Sequence, residues 1–178
     1  MKKNILSSLA ILACCFALSS CGINATTDSM TYSHSYTHKP VNKNFIHGIT
    51  VSEVKGGHTI NPLLASEISN ENFKAALEKS LQNAQLHQGM SPGKYSLKAT
   101  IVRFERPVIG LDFKSTLIVN YKLYSAKDLK PVFDKTIKSA YVAKMSDSLI
   151  GVTRLKMANE GAARENIKLL IKNLYKKK

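Results

Sequence analysis

The stretch Phe113-Lys114-Ser115-Thr116-Leu117-Ile118-Val119-Asn120-Tyr121-Lys122-Leu123 decides the fold. Phe113, Ser115, Leu117, Val119, Tyr121 and Leu123 alternate with Lys114, Thr116, Ile118, Asn120 and Lys122, so an extended chain here has one apolar side and one mostly polar side. Successive side chains of a strand point to opposite faces, and this period marks a half-buried strand. The runs on either side repeat the pattern. Tyr95, Leu97, Ala99 and Ile101 alternate with Ser96, Lys98 and Thr100. The phase then slips at Ile101-Val102, where Phe104 takes over, which predicts a bulge. Phe133, Lys135, Ile137, Ser139 and Tyr141 form the third alternation, after a polar turn over 125–130 and Pro131. Arg106-Pro107-Val108-Ile109-Gly110 is a connecting loop with exposed apolar character. Short connections favour hairpins over crossovers, and a single apolar face suits an antiparallel sheet.

Further out, Phe45 to Val54 reads as a β-branched strand ended by Gly56-Gly57, followed by a loop over 59–67 with Pro62. A helix then starts at Ser69 or Asn70, with Glu71 in its first turn. Its apolar face is Phe73, Leu77, Leu81 and Ala84, and His87-Gln88-Gly89 with Pro92-Gly93 stops it. The last element is a helix from Ser148 to Tyr175 with the stripe Leu155, Ala158, Ala162, Ile167, Leu170, Ile171 and Leu174. Gly161 interrupts it at about 1 kcal/mol relative to alanine, which predicts close approach to the sheet. The expected fold is a two-layer α+β sandwich over 45–178. It has a four-stranded, mainly antiparallel sheet with two helices on one face, in the order β-α-β-β-β-α. Lys98, Thr100, Lys114, Thr116, Asn120, Lys122, Asp134, Thr136 and Lys138 then share the other face as a broad polar, basic surface, with Ile118 and Val142 as apolar islands.

Residues 1–20 carry a cationic start, an uncharged apolar run from Ile5 to Leu18, and small residues before Cys21. This is the layout of a secretory signal, and the run is shorter than the ~20 residues of a membrane span. Leu18-Ser19-Ser20-Cys21 resembles the bacterial lipobox. That resemblance implies a diacylglycerol on the Cys21 thiol, cleavage before it, and acylation, as with palmitate, of the new amino group. Several acyl chains at ~0.8 kcal/mol per buried CH₂ make a lasting anchor. Gly22 rather than Asp follows Cys21, which implies the outer membrane, facing the periplasm. Residues 21–44 read as the acylated cysteine and a flexible tether, with a short edge strand over 32–38. Cleavage before Cys21 removes Lys2 and Lys3 and leaves 158 residues, with 24 basic against 12 acidic side chains, a net +12. Such a chain is drawn to polyanions, and in this compartment those are anionic lipid, including lipopolysaccharide, or acidic proteins, not nucleic acid. All three cysteines lie at or before position 21, so the mature chain has no thiol for a disulfide, a nucleophile or a thiolate metal site. His34 and His38 form a loose pair without a third convergent ligand, so no metal and no cofactor is expected.

No nucleophile elbow, phosphate-binding glycine loop, zinc-protease helix or dinucleotide fingerprint occurs. The one polar set with motif character is Arg154, Asn159, Glu160, Arg164 and Asn166. It reads either as a docking or anion-binding patch or as a network fixing the helix to the sheet. Gly110-Leu111-Asp112-Phe113, Val132-Phe133-Asp134-Lys135-Thr136-Ile137 and above all Arg154-Leu155-Lys156-Met157-Ala158-Asn159-Glu160-Gly161-Ala162-Ala163-Arg164-Glu165-Asn166-Ile167 resemble a family of small proteobacterial envelope lipoproteins. Its members are largely of unknown function, and some carry the label UDP-N-acetylglucosamine acyltransferase. The hexapeptide repeats of true acyltransferases of that name are missing here. The expectation is therefore a non-enzymatic lipoprotein that binds an envelope partner or anionic lipid, through the helix set or through Lys98, Lys114, Lys122 and Lys138. An acyltransferase of the sugar-nucleotide type is the alternative that the resemblance implies.

Overall fold

A computed structural model describes residues 25–33, 40–57, 68–89, 93–107, 109–128 and 130–178. The predicted signal, Cys21, His34, His38 and the loop over 59–67 lie outside the described residues, as does most of the expected edge strand.

Four strands, β1 (Ile49–Lys55), β2 (Tyr95–Glu105), β3 (Phe113–Ser125) and β4 (Pro131–Ala143), lie side by side in chain order. β1 runs parallel to β2, and the other two pairings are antiparallel. The expected bulge is present, since Ile101 pairs with Val119 and Arg103 with Ile118 while Val102 is passed over. Among the described residues three helices accompany the sheet. They are a single turn, α1 (Thr27–Met30), then α2 (Asn70–Asn83) and α3 (Gly151–Lys176). α2 is the crossover between the parallel strands, as a parallel pair requires. The α+β sandwich read from the sequence is thus the observed one. Its core joins Leu97, Leu117, Val119, Tyr121 and Leu123 of the sheet to Phe73, Leu77 and Leu81 of α2 and Ile167, Leu170 and Leu174 of α3.

The start of β1 and the end of α2 differ from the sequence reading. β1 starts at Ile49, and Phe45 closes a 3-10 turn instead while remaining buried. The chain must reverse between them. His47 takes a left-handed φ of 47°, and a Cβ on Gly48 would sit 2.2 Å from the Asn44 carbonyl oxygen. α2 stops at Asn83 because Gln85 takes the left-handed position, φ 57°. The Leu86 amide then donates to Leu81 O at 2.8 Å and the Gln85 amide to Gln82 O at 2.9 Å. This is a Schellman ending, sealed by buried Leu86 and Leu81, with glutamine in the usual glycine place.

The largest difference is at the start. The sequence reading puts 21–44 in a tether, yet the described part of it belongs to the folded unit. Ala25 and Met30 are fully buried, Asn72 Nδ2 donates to Ala25 O at 3.0 Å, and the Tyr32 amide donates to Ser80 Oγ at 2.8 Å. Further along, the Val41 amide donates to Tyr175 O at 3.0 Å. Two apolar side chains on an otherwise polar strap give no periodicity, so docking of this kind leaves no pattern in composition.

Candidate functional site

Both candidate sites follow from which face of the sheet the helices cover. α3 lies on β3 and β4, and a Cβ at Gly161 would sit 2.3 Å from the Tyr141 ring. That contact is the close approach the glycine predicts. At this spacing most polar residues of the helix motif are turned into the interior. Arg154, Asn159, Glu160 and Asn166 are buried and Arg164 is half-buried.

Each of them serves the interior. Asn166 Nδ2 reaches Leu117 O (3.1 Å), Ile137 O (3.0 Å) and Ser139 Oγ (2.9 Å), and its Oδ1 accepts from the Tyr121 hydroxyl at 2.9 Å. Burial pushes the Tyr121 hydroxyl far above the usual phenol range. Asn159 Oδ1 accepts from Ser115 Oγ at 2.6 Å. Ser139 Oγ donates in turn to Ala162 O at 2.8 Å, so two inward-facing serines tie the sheet to the helix, one through a side chain and one through the backbone. Glu160 Oε1 accepts from the Thr26 amide (2.8 Å) and the Thr26 hydroxyl (3.1 Å), and Arg164 Nη1 donates to Ser29 O at 2.5 Å. Arg154 lies over the Phe113 ring, 5.2 Å from its centroid, and donates to Ser148 O at 2.6 Å. Of the two readings of this set, these contacts fit the network that fixes the helix. The motif fixes helix to sheet and strap to helix, because small residues bring α3 too close for its polar face to stay wet. Thr26, Ser115, Tyr121 and Ser139 are partners that the sequence reading missed, since each is distant in sequence from the residue it serves.

The other face of the sheet carries no layer. Lys98, Lys114 and Lys138 are exposed there and Lys122 is half-buried, so all four predicted lysines share that face. Cross-strand pairing groups them. Lys98 stands opposite Lys122, which stands opposite Asp134, and Arg103, Ile118 and Lys138 form a second row. The face is less basic than expected, because carboxylates are interleaved. Lys122 Nζ is 3.6 Å from Asp134, Arg103 Nε 2.7 Å from Glu105 and Lys55 Nζ 2.7 Å from Glu53. The Lys55 ammonium also holds the Glu53 carboxyl below the usual carboxylate range. Asn120 Nδ2 bridges to Asp134 Oδ1 at 3.0 Å and Thr136 Oγ1 at 3.1 Å, and Lys98 lies 5.8 Å from the Tyr124 ring centroid. Thr116 is on this face but covered by its neighbours. Between Glu53, Lys98, Asn120 and Asp134 the surface dips into an open depression of about 490 Å³.

A narrow cavity of about 80 Å³ between Gly56, Ile68, Phe104, Arg106 and Leu117 is well below the ~300 Å³ at which ligand sites begin. Among the described residues no three His, Asp or Glu side chains converge on a metal position, and no helix is long and apolar enough to cross a membrane.

Compared with protein-family models and with curated proteins, the chain finds no match. Solved structures are similar to it. A Xanthomonas campestris protein described under the family model DUF330 superposes with a TM-score of 0.60 at 13% identity, over 83% of this chain and 91% of its own. A candidate lipoprotein from Caulobacter crescentus gives 0.46 at 23% identity, over 57% and 80%. A minor lipoprotein from Acinetobacter baumannii gives 0.45 at 7%, over 71% and 92%. At 13% identity the likeness to the Xanthomonas campestris protein is one of fold alone.

Proposed function

We propose that this chain is a lipoprotein of the outer membrane, anchored through Cys21 and facing the periplasm, that works as a non-enzymatic binding or assembly module. Its bare sheet face is the contact surface for an envelope protein. The observation that carries the reading is the composition of that face. Six cations (Lys55, Lys98, Arg103, Lys114, Lys122, Lys138) are interleaved with three carboxylates (Glu53, Glu105, Asp134) across strands whose opposite face packs against the helices. A surface of mixed sign on a rigid sheet suits a protein of complementary pattern better than a uniformly anionic lipid. The motif-like polar residues of α3 are engaged in the interior, which leaves the sheet as the broad polar surface available.

The test is site-specific photocrosslinking in membranes. A crosslinker at Thr100 or Lys138 should capture one dominant envelope protein, and one at exposed Lys172 on the helix side should not. Capture from Lys172 alone would sink the sheet-face reading. The double substitution Lys98→Glu/Lys138→Glu should reduce capture several-fold while shifting stability by no more than about 0.5 kcal/mol, as exposed positions do.

A further inference from the structure

One pole of the molecule gathers the ends of six elements. The C-terminal ends of β1, β2 and β4 and the start of β3 meet there, as the pairing directions require. The start of α2 joins them, since Asn70 Oδ1 accepts from the Gly57 amide at 2.8 Å. The start of α3 does too, with Gly151 and Arg154 against the Phe113 ring. Exposed large apolar side chains concentrate at this pole. In the β2–β3 connection Ile109 is 90% and Leu111 70% exposed, and in the β4–α3 connection Leu149 is 82% and Ile150 62% exposed. Met145 and Val152 add to them. The loops that present these side chains are pinned. Asp112 Oδ1 accepts from the Met145 amide at 2.9 Å, tying one connection to the other, and Asp147 Oδ2 accepts from the Lys144 amide at 2.8 Å. Exposed apolar side chains gathered at one pole of a fixed scaffold mark an interaction surface.

The chain's own start indicates which surface it meets. The strap enters the fold at this pole, with Ala25 bonded to Asn72 in the first turn of α2, and runs away from it to Ser33, whose hydroxyl accepts from Asn83 Nδ2 at 3.2 Å. Thr26 is fixed to Glu160. At 1.5 Å per residue, that point lies about 14 Å from the start of α3 and about 24 Å from its end. From Thr26 back to Cys21 a fully extended chain spans at most about 18 Å. A lipid on Cys21 can therefore reach the plane of the apolar pole and falls short of the opposite one. Charge agrees. The N-terminus of a 26-residue helix points out here without a side-chain cap, Lys114 and Lys144 lie at the same pole, and Asp112 and Asp147 accept from backbone amides. Positive helix ends and lysines above apolar side chains match phosphate headgroups above acyl chains.

We propose that this pole docks on the bilayer, with Ile109, Leu111, Leu149 and Ile150 inserting between headgroups so that the sheet stands upright from the membrane. The inference rests on the reading of Cys21 as acylated. The experiment uses the full lipidated chain in vesicles of phosphatidylethanolamine and phosphatidylglycerol. Single variants Ile109→Cys, Leu149→Cys and, in the turn at the far pole, Lys127→Cys each provide one free thiol for an environment-sensitive fluorophore. Headgroup-nitroxide lipid should quench the first two several-fold more than the third, with blue-shifted emission. Equal quenching at all three positions, or shielding of Leu149→Cys that persists after the lipid is replaced by detergent, would overturn the docking. The mass of the N-terminal peptide separates the two readings. An acylated Cys21 with a water-exposed pole rejects the docking alone, whereas an unmodified Cys21 rejects the anchor and the docking with it.

Discussion

Asn166 shows how much of the interior turns on one side chain. Its amide meets two strand carbonyls and a serine, and its oxygen takes the Tyr121 proton, so a buried polar cluster is satisfied without a charge. Two predictions belong at this scale. Tyr121→Phe leaves the Asn166 oxygen without its donor and should cost about 1–2 kcal/mol in urea unfolding at neutral pH. It should also flatten the alkaline limb. Burial raises the folded-state pKa of Tyr121, so its contribution is intact below the unfolded value of about 10 and is lost as pH rises beyond it, at up to about 1.4 kcal/mol per pH unit. Wild type should lose stability above pH 10 more steeply than Tyr121→Phe, and parallel curves would refute this. Gly161→Ala sets a helix gain of about 1 kcal/mol against overpacking on the Tyr141 ring of about 1–3 kcal/mol, and it should destabilise. In a Tyr141→Ala background the same substitution should stabilise, as a double-mutant cycle by thermal unfolding would show.

Among the elements, the strap over 25–33 is held mainly by polar contacts. It buries Ala25, Met30 and Thr31 and is fastened by Glu160, Arg164, Asn72 and Ser80, with an exposed Lys79–Asp28 pair at 2.7 Å. An exposed ion pair contributes at most about 1 kcal/mol, so Glu160, which is buried and accepts two bonds from Thr26, is the stronger clasp. Glu160→Ala should release the strap, and amide exchange over 25–33 should then rise by an order of magnitude or more while the sheet stays protected. Unchanged protection would place the hold elsewhere, in Met30 packing. If the pole docks on a membrane, the released variant should also lose the difference in quenching between the near and far labels, because the strap is what ties anchor to pole.

The whole molecule divides its surfaces by role. The helix-covered face of the sheet holds the core, the bare face carries mixed charge, and one pole is apolar. At this scale the expected result is directional. Reversing charge at Lys98 and Lys138 should weaken protein capture without altering vesicle quenching, whereas Leu149→Glu should reduce quenching at Ile109→Cys without altering capture. Loss of both together in either variant would merge the two surfaces into one. The period-two runs of Tyr95–Ile101 and Phe113–Leu123, the slip at Ile101-Val102 and the Gly161 break were all legible in the sequence, because each is a local pattern with a local cause. So was the set of lysines on one face, since alternation alone assigns sides to a strand. The use of the α3 motif was not legible. Whether Asn159, Glu160 and Asn166 face water or the interior depends on the distance from helix to sheet, and the partners Ser115, Thr26 and Tyr121 come from elsewhere in the chain. Nor could the sequence show that Ile109 and Leu149, in connections far apart along the chain, meet at one pole beside the entry of the strap. Strand order and direction brought them there, and those are set by the summed burial of the sheet and its helices, not by any single segment.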